Sequence, residues 1–191
     1  KRSIAIAASV MIMSFASYAQ AATNNSTATV NQTIGSANNA TVEQDNASFT
    51  DATIDQAGSV NTAEIEQTGN GNSAGVSQVG SLNNADVEQA GNGNVGRVSQ
   101  TGDSNTADVD QYGDNNTATV SQKGAGNNAD VNQKGNGNEA SVAQTGNNND
   151  ANVAQGGNAN EAEVAQQGNG NDASVTQSGN GNNAEVEQIG D

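Results

Sequence analysis

Paired carboxylates are the side chains of this sequence best suited to chemistry. Asp108 and Asp110 stand two residues apart, and the same spacing of acids recurs earlier in the chain. Two carboxylates can hydrolyse a glycosidic bond from opposite walls of a cleft. Residues two apart in a strand instead share one face, which is flat. The sequence has no His and no Cys, so it offers neither a His- or Cys-based nucleophile pair nor a typical zinc site.

A second candidate is a glycine pattern. Gly91, Gly93 and Gly96 have the spacing of a dinucleotide-binding loop. That function requires a helix immediately after the loop, and Gly and Asn recur here too often for a helix to form. We therefore predict that the protein is not an enzyme, with no catalytic, cofactor-binding or metal-binding residues and no cofactor.

The segments that carry these residues belong to a sequence unit that repeats every 11 residues. The unit is Ala-x-Val-x-Gln-x-Gly-x-x-Asn-x, and fifteen copies begin at Ala28, Ala40 and Ala52 and then every 11 residues to Ala184. Every copy has Val or Ile at the third place and Gln at the fifth, and Gly96 is the one exception to Ala at the first. Aromatic residues make up only 2% of the chain, which is typical of disorder. A register this strict instead indicates stacked repeats.

Each unit predicts one strand and one corner. Places one, three and five share a face, so Ala, Val and Gln point inward and polar residues point outward. The Gly-x-x-Asn segment is typical of a turn. Alternate units differ in charge: Glu64 and Glu66 flank one inward Ile, whereas Gly75 and Ser77 flank the next inward Val. This alternation favours a coil of 22 residues with two strands. We predict an all-β, amyloid-like β-solenoid with parallel, in-register stacking of coils about 4.8 Å apart.

Three sets of side chains recur in this frame. An inward Gln is costly when unpaired, so each Gln is expected to stack on the Gln one coil away, and the corner Asn residues can do the same. The predicted Gln ladder comprises Gln67, Gln78, Gln89, Gln100, Gln111, Gln122, Gln133, Gln144, Gln155, Gln166, Gln177 and Gln188. The predicted Asn ladder comprises Asn72, Asn83, Asn94, Asn105, Asn116, Asn127, Asn138, Asn149, Asn160, Asn171 and Asn182. The predicted acidic face comprises Glu64, Glu66, Asp86, Glu88, Asp108, Asp110 and Asp130.

The acidic face has two interpretations. Stacked like charges repel, so acid or divalent cations would relieve the repulsion and accelerate assembly. Alternatively, the face is simply solvated and keeps the chain soluble during export.

The N-terminus predicts a secretory signal peptide over residues 1–21. Lys1 and Arg2 precede an apolar run and then small residues, with cleavage expected before Ala22 and, as a second option, after Ala19. A short segment over 22–27 and the solenoid over 28–191 follow. The first two copies are irregular, because Ile34 is inserted and residues 45–47 replace the glycine turn. They are expected to serve export instead of, or as well as, the solenoid.

Charge limits the partners of the mature chain. Without Lys1 and Arg2, three cations remain against 21 acids, a net charge of −18. Such a chain should avoid nucleic acid and anionic membranes. No later segment is apolar enough for insertion into a membrane.

The repeat resembles a known family. Gln67-Thr-Gly69-Asn-Gly-Asn72-Ser-Ala74-Gly-Val-Ser-Gln78 is similar to the curlin repeat, and similar segments cover most of the mature chain, in more copies than family members usually have. The resemblance implies an extracellular functional amyloid of the biofilm matrix, with a role in cell adhesion. It also implies Gram-negative export through an outer-membrane secretion pore with accessory export factors, and a nucleator subunit as partner.

Neither end of the chain carries a charged plug or capping helix. Open strand edges recruit other chains, so we expect head-to-tail self-assembly into a fibre. Two alternatives remain: the minor, nucleating subunit of the same fibre, and a monomeric β-solenoid that binds ice or polysaccharide.

Overall fold

The fold was determined as a computed structural model, which describes residues 5–10, 17–21, 25–33 and 35–190. Seventeen β-strands and no helix occur over these residues. The strands are β1 (Ala5–Val10), β2 (Ser17–Ala21), β3 (Thr27–Thr33), β4 (Asn39–Ser48), β5 (Asp51–Ser59), β6 (Thr62–Asn70), β7 (Ser73–Ser81), β8 (Asn84–Ala90), β9 (Val95–Asp103), β10 (Thr106–Tyr112), β11 (Thr117–Ala125), β12 (Asn128–Asn136), β13 (Glu139–Asn147), β14 (Asp150–Asn158), β15 (Glu161–Asn169), β16 (Asp172–Asn180) and β17 (Asn183–Ile189).

Successive strands alternate between two parallel sheets. The odd-numbered strands form a nine-stranded sheet, called here the odd sheet, and the even-numbered strands form the eight-stranded even sheet. Each strand pairs with the strand two positions later, and from β5 onward the partners lie 22 residues apart without a shift, as in Val109 opposite Val131. The predicted β-solenoid with 22-residue coils and in-register stacking is therefore confirmed.

The core lies between the two sheets and is thin. It consists of the Ala and the Val or Ile of each unit, which are buried from Ala28 to Val175. The outward residues alternate with them along every strand, as the burial of β10 illustrates. Such small side chains remove little apolar surface per coil from water, so the inward Gln residues must also be stabilised if the coil is to hold together.

Glycine at the corner is required by two constraints at once. At Gly102, φ is +117°, a conformation that is strained for any residue with a Cβ. A Cβ built there would meet the Gly124 carbonyl oxygen of the next coil at 2.0 Å. The seventh place of the unit is thus a close approach of two backbones, a constraint that the turn pattern alone does not reveal.

The two irregular copies belong to the solenoid. β3 pairs with β5, and β4 pairs with β6 across a bulge between Asp45 and Ser48. Ala47, in the segment that replaces the glycine turn, is fully buried. The inserted Ile34 lies outside the described residues.

The predicted signal peptide falls partly on β1 and β2 and partly on residues outside the described ranges. The backbone of β1 pairs with β3 and that of β2 pairs with β4, so one strand is added to each sheet. No helix in the described part of the chain is long and apolar enough to cross a membrane.

Candidate functional site: amide rows inside the solenoid

The inward glutamines form two continuous rows, one per sheet. In the even sheet, the Gln89 Nε2 donates to Gln111 Oε1 at 2.7 Å, and Gln111 Nε2 donates to Gln133 Oε1 at 2.9 Å. The odd sheet repeats this arrangement, for example from Gln100 to Gln122 at 2.9 Å. Every residue of the predicted Gln ladder lies in one of the two rows. Both rows also extend below Gln67, through Gln44 in the even sheet and through Gln56 in the odd sheet.

The second N–H of each amide crosses the core. Gln111 Nε2 also donates to the Val95 carbonyl oxygen at 3.1 Å, and Gln122 Nε2 donates to the Thr106 carbonyl oxygen at 2.7 Å. Each acceptor lies at the start of a strand in the opposite sheet. A single Gln therefore joins its own coil across the core and the next coil along the axis. This satisfies both donors of a fully buried amide.

One acceptor in these rows has no partner. Gln44 Oε1 is buried and accepts no hydrogen bond within the described residues. Every later Gln of the even row accepts from the coil below, but opposite Gln44 the strand β2 carries Ala21. A buried amide oxygen of this kind costs roughly 1–3 kcal/mol, which an additional amide donor would recover.

The corner asparagines form two further rows with the opposite polarity. The Asn94 backbone N–H donates to Asn72 Oδ1 at 2.9 Å, from the upper coil to the lower. Asn94 Nδ2 donates to the Gly113 carbonyl oxygen at 2.7 Å. All residues of the predicted Asn ladder lie in these rows, and Asn61 extends one of them downward. Each Asn thereby holds the glycine corner of the coil above against its own coil.

An additional, solvent-exposed row was missed by the sequence analysis. At the eighth place of the unit, the Asn92 backbone N–H donates to Asp114 Oδ1 at 2.9 Å, and the Asp114 N–H donates to Asn136 Oδ1 at 3.0 Å. The frequent Asn and Asp at this place were the available signal. Because the place varies among Asn, Asp, Ser and Ala, it was interpreted only as part of a turn.

The residues of the predicted acidic face lie together on the outer surface of the even sheet. In one column Glu64, Asp86, Asp108 and Asp130 are direct strand partners. Glu66, Glu88 and Asp110 form the neighbouring column, which ends where Asn132 Nδ2 donates to Asp110 Oδ2 at 3.1 Å. Among the described residues, no cluster of acidic side chains has an arrangement that could hold a metal ion.

Partial burial and the neighbouring acids raise the pKa values of four of these carboxylates, Glu66, Asp86, Asp108 and Asp110. Partial desolvation between strands, together with Asp108 and Glu64, raises the pKa of Asp86 to about 6. The pKa values of Asp108 and Asp110 are also raised, first by desolvation and then by neighbouring acids. Desolvation and a hydrogen bond with Glu88 raise the pKa of Tyr112 to about 12. At neutral pH the face is negatively charged, and Asn132 and Lys134 offset this charge only beside Asp110.

These features define a class of protein before any comparison. The buried polar groups hold one coil to the next, and the carboxylates lie on an open, flat surface. The molecule is a structural repeat protein.

The comparisons agree. The curlin associated repeat matches seven overlapping segments, at residues 51–80, 58–91, 83–113, 91–124, 113–146, 124–157 and 157–190. Together they span residues 51–190, and the chain belongs to the curlin-repeat family. The repeats make it a curli-type structural subunit, of a family that assembles into extracellular fibres. Both the family and the fold are structural rather than enzymatic. No curated relative matches the chain.

Proposed function

We propose that this chain is the major subunit of an extracellular curli-type amyloid fibre in a biofilm matrix, and that copies add head to tail. The observation that carries the proposal is the polarity of the Gln rows. Every Gln–Gln bond runs from the amide nitrogen of the lower coil to the amide oxygen of the upper coil, as from Gln78 to Gln100. Because the interface between coils is repetitive, a coil of another copy can make the same contacts.

Gln44 supplies the acceptor for such a junction. Its buried Oε1 lacks a donor beneath the strand that carries Ala21. Cleavage of the predicted signal peptide before Ala22 removes that strand and opens the lower edge of β4. The last Gln of the even row, Gln177, donates to the Glu161 carbonyl oxygen at 2.8 Å. By analogy with every earlier Gln, its other N–H is the donor that a second copy's Gln44 requires.

Export and nucleation are proposed on the basis of the family. We propose export through an outer-membrane secretion pore with accessory factors, and a nucleator subunit that starts growth. The regular inward places and the few cations favour the major subunit over the nucleator. Ice binding would require uninterrupted columns of outward Thr, but Thr53 is followed in its column by Gly75 and then Arg97.

The test is assembly of the purified chain without residues 1–21. After release from denaturant, thioflavin T fluorescence and electron microscopy are followed over hours. We expect unbranched fibres after a lag, and a shorter lag when preformed fibres are added. A chain that stays monomeric with a β-type circular dichroism spectrum contradicts the proposal and favours a binding solenoid.

Two substitutions test, in the same assay, whether copies join through Gln44. Gln44→Leu removes the open acceptor, and we expect seeded elongation to slow several-fold, because the donor of the incoming copy is then buried without a partner. Gln167→Leu, on the outer surface of β15, is the matched control and should elongate like the unsubstituted chain. Equal rates for the two variants would exclude a junction through Gln44.

The site of cleavage is tested separately. Mass spectrometry of fibres collected from secreting cells should give a chain that begins at Ala22. Fibres that retain residues 1–21 would contradict the proposed exposure of β4.

A further inference from the structure

The outer surface of the odd sheet has a region with the opposite charge to the acidic face. We call the outward residues at the second, fourth and sixth places of the units on β7, β9 and β11 the basic face. Arg97 and Lys123 lie there with exposed side chains, and none of these nine residues is acidic. The nearest acid in these strands, Asp103, lies at the corner, where its Oδ1 accepts the Ser81 backbone N–H at 3.0 Å.

The shape of the basic face suits a flat partner. Gly75 has no side chain, and nothing lies within 4 Å of the position a Cβ would occupy. Beside it, Ser77, Ser99 and Ser121 follow one another in register across the three strands. These residues line a shallow depression with Arg97 at its side, and Asp51 and Asp55 of the adjacent strand β5 border it. Small side chains of this kind allow a second sheet to approach closely.

The opposite surface of the solenoid provides the complement. On β6, β8 and β10, six outward acids follow one another in register. Partial burial, and then the neighbouring acids, raise the pKa of Asp86 in the middle of this group. The two faces span neighbouring strands of the same central coils. Their charges therefore recur at the same strand spacing, which two parallel fibres would share.

We propose that the basic face of one copy docks on the acidic face of a second copy in a neighbouring fibre. The inference rests on the proposed function, because it concerns the packing of fibres side by side. The contact is heterologous: each copy uses the basic face on one side and the acidic face on the other. Such a contact does not close, so fibres add one after another into flat ribbons rather than closed pairs.

The area of the basic face is too small to hold two isolated subunits together but is sufficient when it is repeated along two fibres. Three strands of about six residues cover roughly 20 by 14 Å, or roughly 300 Å² on each partner. A stable pair usually requires about 1,200 Å² in total. A single pair of subunits therefore falls short, whereas two fibres repeat the contact once per subunit and gain by multivalency.

The experiment uses fibres of the purified chain alone, imaged by electron microscopy and atomic force microscopy. At about 20 mM salt we expect flat ribbons of variable width, and at about 500 mM salt single fibres, because salt screens charges that are exposed to solvent. Ribbons that persist unchanged at high salt would overturn the proposal. So would ribbons that form only after a soluble polyanion such as heparin is added, because the occupant would then be the polyanion.

Two variants with the same change in net charge distinguish this contact from general repulsion. Arg97→Glu reverses a cation on the basic face, and Lys134→Glu reverses one beside the acidic face. Both side chains are exposed. We expect Arg97→Glu to reduce the fraction of fibres in ribbons at least five-fold and Lys134→Glu to leave it unchanged or higher. Equal losses in the two variants would overturn the proposal.

A charge exchange completes the test. Fibres of R97E/K123E and fibres of D86K/E88K/D108K/D110K should each remain single, because the first variant has two negative faces and the second has two positive faces. Mixing the two preparations should restore ribbons, and failure to do so would overturn the proposal. Single fibres that bind thioflavin T contradict only the lateral contact. A chain that never forms fibres contradicts the proposed function as well.

Discussion

At the scale of the residue, Gln is the side chain that holds this fold together. Its amide lies far enough from the backbone to reach both the next Gln along the axis and a carbonyl oxygen across the core, as at Gln111. Asn is one methylene shorter, and it occupies the corner, where its partners are closer. The longer Gln therefore makes the contacts across the core, and the shorter Asn makes the contacts at the corner.

Replacing one Gln within a row should therefore be costly. Gln111→Leu leaves the Gln89 donor, the Gln133 acceptor and the Val95 carbonyl oxygen without their partner. Each buried unsatisfied group costs roughly 1–3 kcal/mol, so we expect a clearly lower urea midpoint for fibre dissolution, followed by circular dichroism. Gln167→Leu on the outer surface controls for the loss of an amide. A midpoint for Gln111→Leu within error of the control would contradict the role of the row.

The corner glycines allow a second comparison between residues. Gly102→Ala places a Cβ at 2.0 Å from the Gly124 carbonyl oxygen, at a φ of +117°. We expect disrupted stacking of the two coils and little or no fibre in the thioflavin T assay. Gly75→Ala adds the same methyl group in open space, and it should be neutral or stabilising by roughly 0.5–1 kcal/mol. Similar behaviour of the two variants would contradict the backbone contact between coils.

At the scale of the element, the even sheet stacks like charges on consecutive strands. Its central strands carry two acidic columns on one surface and the buried core residues on the other. The Gln row holds these strands together despite the repulsion. The acids therefore weaken the sheet at neutral pH without preventing its formation.

The repulsion between stacked acids predicts that the stability of the fibre falls as the pH rises. The folded-state pKa of Asp86 is about 6, above the value of about 3.9 for an exposed Asp. The folded state therefore binds the proton more tightly, so this stabilisation is complete below about pH 4 and is lost as the pH rises through about 6. We expect fibres to resist urea better at pH 4 than at pH 7.5.

Asp86→Asn isolates the contribution of this carboxylate. We expect it to stabilise the fibre at pH 7.5 by about 1 kcal/mol, after allowance for solvent screening, and to have little effect at pH 4. Glu187→Gln, opposite Ala165 and outside the acidic columns, is the control and should change stability little at either pH. A destabilised Asp86→Asn fibre at pH 7.5 would contradict the repulsion.

At the scale of the whole molecule, the 22-residue coil is the unit that can be added or removed. All coils from β5 onward make the same contacts with their neighbours, so stability is nearly a sum over coils. The molecule has no central core that depends on every strand, and its length is free to vary.

Deletions test this modularity. Removal of residues 107–128, one whole coil, should leave a shorter solenoid that still forms fibres, because strands separated by the gap meet in their original register. Removal of residues 107–112 deletes most of β10 and shortens one coil from 22 to about 16 residues, so the even sheet loses a strand at that level. We expect fibre yield to fall at least ten-fold. Comparable yields from both deletions would contradict the coil as the structural unit.

Much of this arrangement could be predicted from the sequence. The 11-residue period identified the inward Val and Gln of each unit, and the alternation between acidic and neutral flanks, as at Glu64 and Gly75, favoured the two-strand coil. The Gln and Asn ladders were expected residue by residue. These features are local or periodic, and in a repeat fold periodicity fixes which residues meet.

The sequence by itself determined the strand period, the inward faces and the stacking of like residues, because side chains alternate along a strand and identical units stack in register. Only the tertiary structure decided the polarity of the amide rows, the open acceptor on Gln44, the backbone approach at Gly102 and the raised pKa of Asp86. The reason is physical. Each of these depends on distances of 2 to 3 Å between atoms of different coils, which a pattern of residue types does not specify.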